Sequence, residues 1–170
     1  ANLYEERLLS ERTNDGASVH VTTPESEVAQ LADASRAHEP GELGALACKL
    51  YDENPNLTEE EAYEAFIGWV ESRGIELWPH QEEALMSIMV GDHVILGTPT
   101  GSGKSLVALG MHFIAMCFGE RSYYTAPIKA LVSEKFFNLV DILGRENVGM
   151  ITGDVHINTS APVICCTEEI

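Results

Sequence analysis

Apolar and polar residues follow two different rhythms along this chain, and the change falls near Trp78. Before it, Ala62, Phe66, Trp69 and Val70 recur three and four residues apart, and Gly74 ends the run. The helix they predict starts at Thr58-Glu59-Glu60-Glu61, a capping-box pattern. The Thr58 hydroxyl accepts from the N–H of Glu61, and the Glu61 side chain returns to the N–H of Thr58. Three carboxylates in the first turn also suit the helix dipole. From Trp78 onward, helix and strand patterns alternate. Gln81–Val90 reads as a helix and His93–Leu96 as a short apolar strand. Lys104–Phe118 is a helix apolar nearly all round, which predicts deep burial, and Gly119 is its stop. Ser122–Thr125 is a strand. Ile128, Leu131, Val132, Phe136, Leu139, Val140 and Leu143 fit one helix face, closed by Gly144. Val148–Ile151 and Val163–Cys166 are further strands. This alternation with short links predicts an α/β fold: a parallel sheet covered by helices on both faces.

Charge divides the chain in the same way. Of the net −17, residues 1–75 carry 5 basic against 16 acidic side chains, and residues 76–170 carry 5 against 11. We read residues 1–42 as an acidic, loosely ordered leader with turn chemistry at Asn14-Asp15-Gly16 and Thr22-Thr23-Pro24, and short helices at Leu3–Glu11 and Glu25–Ala37. Residues 43–75 form a helical segment, and 76–170 the α/β core. Such an acidic balance excludes a histone-like nucleic-acid binder. No apolar run reaches the ~18 residues of a membrane span, and the first thirty residues have no signal-peptide core. Four cysteines, two of them adjacent at Cys165-Cys166, fit reduced thiols in a cytoplasmic protein rather than a disulfide scaffold or zinc site. His80, His93, His112 and His156 show no metal-ligand spacing.

The strongest chemical signal is Gly97-Thr98-Pro99-Thr100-Gly101-Ser102-Gly103-Lys104-Ser105, set between the expected strand and helix. That is the context a phosphate-binding loop requires. Gly101 and Gly103 let the backbone curl so that N–H groups face phosphate oxygens, and the helix start adds its positive end. Lys104 would reach the β- and γ-phosphates, and Ser105 Oγ would ligate Mg²⁺. The first position of the strict pattern falls on Thr98 and not on glycine. Thr98-Pro99-Thr100-Gly101-Ser102-Gly103-Lys104-Ser105 resembles the first motif of superfamily 2 helicases, which accept a small non-glycine residue there.

Three more segments resemble that superfamily. Trp78-Pro79-His80-Gln81, 23 residues before Lys104 at its glutamine, resembles the helicase Q motif, in which the amide reads the adenine edge and Trp78 could wall the base. Thr125-Ala126-Pro127-Ile128-Lys129-Ala130-Leu131 resembles motif Ia. Pro127, Lys129 and Ala130 open a helix there, with free N–H groups and a cation for a strand phosphate. Lys135, further along that helix, reads as an exposed lysine. Thr152-Gly153-Asp154 and Thr167-Glu168-Glu169-Ile170 are similar to the Thr-Gly-Asp and Thr-x-Glu-Ile-Leu elements of the superkiller-type (DExH-box) RNA helicases. The resemblance implies that Gly153, Asp154, Thr167 and Glu169 contact one nucleic-acid strand.

The resemblance implies the first RecA-like domain of an ATP-dependent helicase, using ATP and Mg²⁺ on single-stranded nucleic acid, with RNA expected. A DNA helicase or translocase of the same superfamily, and a truncated nonenzymatic nucleotide-binding module, are the alternatives. The family continues with an Asp-Glu-x-His box, a Ser-Ala-Thr motif and a second RecA-like domain with arginine fingers. None lies between Ala1 and Ile170. The expectation is therefore a part of a longer protein that binds nucleotide but turns it over poorly alone. Loss of an arginine finger by itself costs ~10³–10⁵ in related hydrolases.

Overall fold

A computed structural model describes residues 41–99 and 103–168. The expected helices at Leu3–Glu11 and Glu25–Ala37, loop residues Thr100, Gly101 and Ser102, and Glu169 lie outside the described residues.

Among the described residues five helices and four short strands follow in order: α1 Glu42–Glu53, α2 Glu59–Ser72, α3 Pro79–Met89, α4 Lys104–Cys117, β1 Ser122–Ala126, α5 Lys129–Leu143, β2 Val148–Ile151, β3 His156–Ile157 and β4 Val163–Thr167. The capping box at the start of α2 forms as its sequence dictates: Glu61 N–H donates to Thr58 Oγ1 at 3.2 Å, and Thr58 N–H donates to Glu61 Oε2 at 2.9 Å. Ala62, Phe66, Trp69 and Val70 are its buried residues. They meet α4, the apolar helix, through Phe66 and Phe113, whose ring centroids are 5.7 Å apart. Gly110 lets α4 come this close. A Cβ there would lie 2.4 Å from Leu85 of α3 and 2.9 Å from Phe66 of α2. Leu43 and Ala47 of α1 join the same core, and Arg73 pairs with Glu42 to tie α2 back to α1.

The sheet order is β1-β4-β2-β3. β1, β4 and β2 run parallel, with Ser122 opposite Val163 and Val148 opposite the same residue. The short strand β3 turns back antiparallel to β2 through residues 152–155, and Asn158, just after β3, has a left-handed φ of 43°. On one face, Val163, Cys165, Val148 and Met150 belong to the main core beneath α4 and α5. On the other, Ile164, Cys166 and Ala161 make a small second cluster. The α/β class read from the alternation is the fold observed, and β2 occupies the residues expected.

Two elements differ: the antiparallel strand β3 has no counterpart in the expected parallel sheet, and one expected strand is absent from it. The expected strand His93–Leu96 is not hydrogen-bonded into the sheet. Its alternation survives: Val94 and Leu96 lean on the core while Ile95 is 96% exposed. Period two fixes which side chains face inward, but a ladder also needs a neighbouring strand. Among the described residues, β1 pairs only with β4, and nothing pairs with residues 93–96.

Candidate functional site

Parallel strands place their carboxyl ends on one edge, where ligands of α/β folds gather. Ala126, Ile151 and Thr167 end β1, β2 and β4 on that edge, so Pro127, Lys129, Thr152, Gly153, Asp154 and Thr167 come together there.

α4 starts without a side-chain cap. Its N-cap is Gly103, in the left-handed region at φ 69°, ψ 23°. A residue with a Cβ is disfavoured in that conformation, which explains the glycine before Lys104. The uncapped N–H groups of the first turn stay available to an anion. Lys104 folds over the loop, its Nζ donating to the carbonyls of Thr98 at 2.7 Å and Pro99 at 2.9 Å. Ser105 is half-buried in the first turn of the same helix. A hydroxyl beside an open helix start and the Lys104 ammonium is a donor set that suits Mg²⁺ and a polyphosphate.

Gln81 is 2% exposed, and the fold uses both ends of its amide. Its Oε1 accepts from the N–H of Trp78 at 2.8 Å, and its Nε2 donates to the carbonyl of Gly103 at 3.1 Å. Gln81 therefore closes the first turn of α3 and tethers it to the N-cap of α4. Trp78 is 37% exposed and lies 5.5 Å, ring to ring, from His80.

α5 also starts without a side-chain cap, after Ile128 in extended conformation. Pro127, Ile128, Lys129 and Ala130 are all exposed. Lys129 Nζ donates to both oxygens of Asp154, at 2.8 and 2.6 Å, and Thr152 Oγ1 donates to Asp154 at 3.1 Å. Hydrogen bonding from these two residues, Lys129 first, holds the Asp154 carboxyl below the usual carboxylate range. Two residues expected to touch the strand thus pair with each other. Gly153 between them has open space around its Cα, and Thr167 is half-buried at the end of β4.

Lys135 is the residue the sequence reading misplaced. It is half-buried, its Nζ 3.4 Å from Ser105 Oγ and 5.7 Å from the centre of the Tyr124 ring. Burial lowers its pKa from the ordinary lysine value. The signal was present: residue 135 stands three after Val132 and four before Leu139, on the buried stripe of α5. Nearby His112 is buried with Nδ1 2.8 Å from Ser122 Oγ, and burial, with Lys135 adding to it, lowers its pKa to about 4. Cys165 is fully buried and its thiol is pushed up to about 12, mainly by burial, so it stays protonated, as a small core residue would. No cluster of metal-binding side chains occurs among the described residues. No described helix is long and apolar enough to cross a membrane.

Residues 78–164, just over half of the chain, match the DEAD/DEAH box helicase family. The chain is 36% identical over 90 residues to the probable helicase HelY of Mycobacterium tuberculosis, covering 53% of this chain and 10% of that protein. It is 39% identical over 97 residues to the antiviral helicase SKI2 of Saccharomyces cerevisiae, covering 56% and 7%. With the DExH-box ATP-dependent RNA helicase DExH15 of Arabidopsis thaliana it shares 38% over 90 residues, 53% of this chain and 8% of the relative. The matched region thus spans a tenth or less of these relatives. An uncapped glycine start beneath a folded-back lysine, a second uncapped start beside it and these matches lead to one statement: the chain belongs to the DEAD/DEAH box helicases, with relatives in the superkiller-type DExH branch.

Proposed function

We propose that this chain supplies the nucleotide site and part of the strand path of an ATP-dependent RNA helicase. The observation that carries the reading is the pair of helix starts that have no side-chain cap, no acidic residue in the first turn and a lysine at the first position, α4 at Gly103-Lys104 and α5 at Ile128-Lys129; α1 also starts uncapped after a left-handed Gly41, but with Glu42 in its first turn. Each of the pair offers unpaired N–H groups and one lysine whose present partners are replaceable. At the first, Lys104 leaves the carbonyls of Thr98 and Pro99 for the β- and γ-phosphates, and Ser105 holds Mg²⁺, which when bound would neutralise phosphate charge. Gln81 holds Gly103 in place, with adenine recognition left to whatever its amide and Trp78 still offer a base. At the second, a backbone phosphate replaces Asp154 as the partner of Lys129, next to Gly153 and Thr167. The chain alone binds nucleotide and hydrolyses it poorly. The naming of relatives such as DExH15 as RNA helicases favours RNA over DNA.

The test is strand displacement by the full-length protein on matched RNA and DNA duplexes with ATP. Faster displacement of RNA supports the reading. Activity on DNA alone makes this a DNA helicase or translocase, and nucleotide binding with no displacement of either makes it a nonenzymatic module.

A further inference from the structure

Lys135 lies between the two helix starts and belongs to neither in the reading above. Its side chain runs inward from α5, crosses the Tyr124 ring and ends at Ser105 Oγ, to which it donates at 3.4 Å. It takes part in none of the ion pairs among the described residues. An ammonium in such surroundings is costly unless a polar atom shares its charge. The hydroxyl of Ser105 is the one hydrogen-bond partner that the described residues give it.

The same oxygen is the one expected to ligate Mg²⁺ at about 2.0–2.1 Å. An ammonium and a divalent cation on one hydroxyl repel each other, so occupancy by one disfavours the other. Lys135 also stands on the helix that carries Lys129. The two are six residues apart, roughly 9 Å along the axis at 1.5 Å per residue, with no Gly or Pro between them to absorb a movement. A displacement at Lys135 is therefore transmitted along α5 to its exposed start.

Building on the function proposed above, we propose that Lys135 is a positioning residue that holds Ser105 Oγ in the nucleotide-free protein. It gives that oxygen up when a metal–nucleotide complex binds, and through α5 it couples nucleotide occupancy to the strand contact at Lys129. The coupling runs both ways, because linkage between two binding sites is reciprocal.

The experiment measures the affinity of the full-length protein for a fluorescent single-stranded RNA, with and without Mg²⁺ and a non-hydrolysable ATP analogue. In the wild type, nucleotide shifts RNA affinity by about 5–150-fold, the usual range for coupled sites. Lys135→Met keeps the apolar stem and should cut that shift to below about two-fold, with RNA affinity in the absence of nucleotide retained. Lys135→Arg keeps a donor and should restore most of the shift. Lys135→Gln replaces the methionine variant if the latter does not fold. A methionine or glutamine variant with the wild-type shift overturns the proposal, as does a wild type with no shift. Lys104→Ala separates this failure from the larger one: if it binds the analogue as the wild type does, the nucleotide site itself is wrongly assigned. If it loses the analogue while Lys135→Met keeps the shift, the coupling alone fails.

Discussion

The starts of α2 and α4 are made of opposite chemistry. α2 satisfies its own first turn: Thr58 and Glu61 exchange hydrogen bonds, and three carboxylates neutralise the dipole. α4 has a left-handed glycine where a capping side chain would be, no acidic residue in its first turn, and a lysine in place of a carboxylate. A helix that serves the fold closes its terminus as α2 does or, like α1 after the left-handed Gly41, sets a carboxylate, Glu42, in its first turn. One that leaves it open, with positive charge added, is stable only if something else makes up the difference. In α4 that role falls to Gln81 from behind and the nonpolar body of the helix, nine of whose residues are buried. α5 repeats the arrangement on the surface, where Lys129 leans on Asp154.

Damage to the two regions separates into loss of activity and loss of stability. Lys104→Ala removes a side chain whose hydrogen bonds, among the described residues, go to two loop carbonyls. In the full-length protein it should reduce ATP turnover by ~10²–10³ or more, as loss of a charge-stabilising donor does, with thermal unfolding unchanged. Turnover within a few-fold of wild type would erase the distinction. Phe113→Ala strikes the opposite side. Phe113 is fully buried against Phe66, and its truncation should cost ~3–5 kcal/mol of stability, read by denaturant unfolding.

His112 belongs to the core by position and responds to pH. It is 1% exposed, and its pKa is lowered from 6.5 to about 4, first by burial and then by the Lys135 charge. Below pH 6.5 the unfolded chain takes up a proton that the folded protein refuses. The stability held by the neutral imidazole is thus complete above pH 6.5 and is lost as pH falls through about 4. The shift corresponds to about 3 kcal/mol. Chemical denaturation of the wild type and His112→Gln between pH 7.5 and 4 should show their difference shrinking as pH falls; a constant difference would remove His112 from the account. The smallest effect belongs to Asp154→Asn, which frees the exposed Lys129 and should tighten single-strand binding a few-fold at low salt, fading as salt rises.

Most of the fold was legible because helix and strand periods are local. The buried positions Ala62, Phe66, Trp69 and Val70 follow from spacing alone, and so does the capping box at Thr58. Residues 93–96 show where that stops: their alternation states which side chains face inward, but the partner strand is not a local property. The site divides in the same way. Gly103, Lys104 and Lys129 are marked by motif, whereas the backbone bonds that occupy Gln81, the carboxylate on Lys129 and the reach of Lys135 to Ser105 depend on contacts 22, 25 and 30 residues apart in sequence. Only the position of Lys135 on the stripe of Val132 and Leu139 hinted at its burial.

The central claim is that α4 receives the nucleotide and α5 the strand. The most direct test titrates the full-length Lys129→Ala variant with a fluorescent ATP analogue and with fluorescent single-stranded RNA over a range of salt. The account predicts wild-type nucleotide affinity, weaker RNA binding, and a logarithmic salt slope smaller by about one phosphate contact. Loss of nucleotide affinity with RNA binding and its salt slope intact would place Lys129 at the nucleotide and contradict the account.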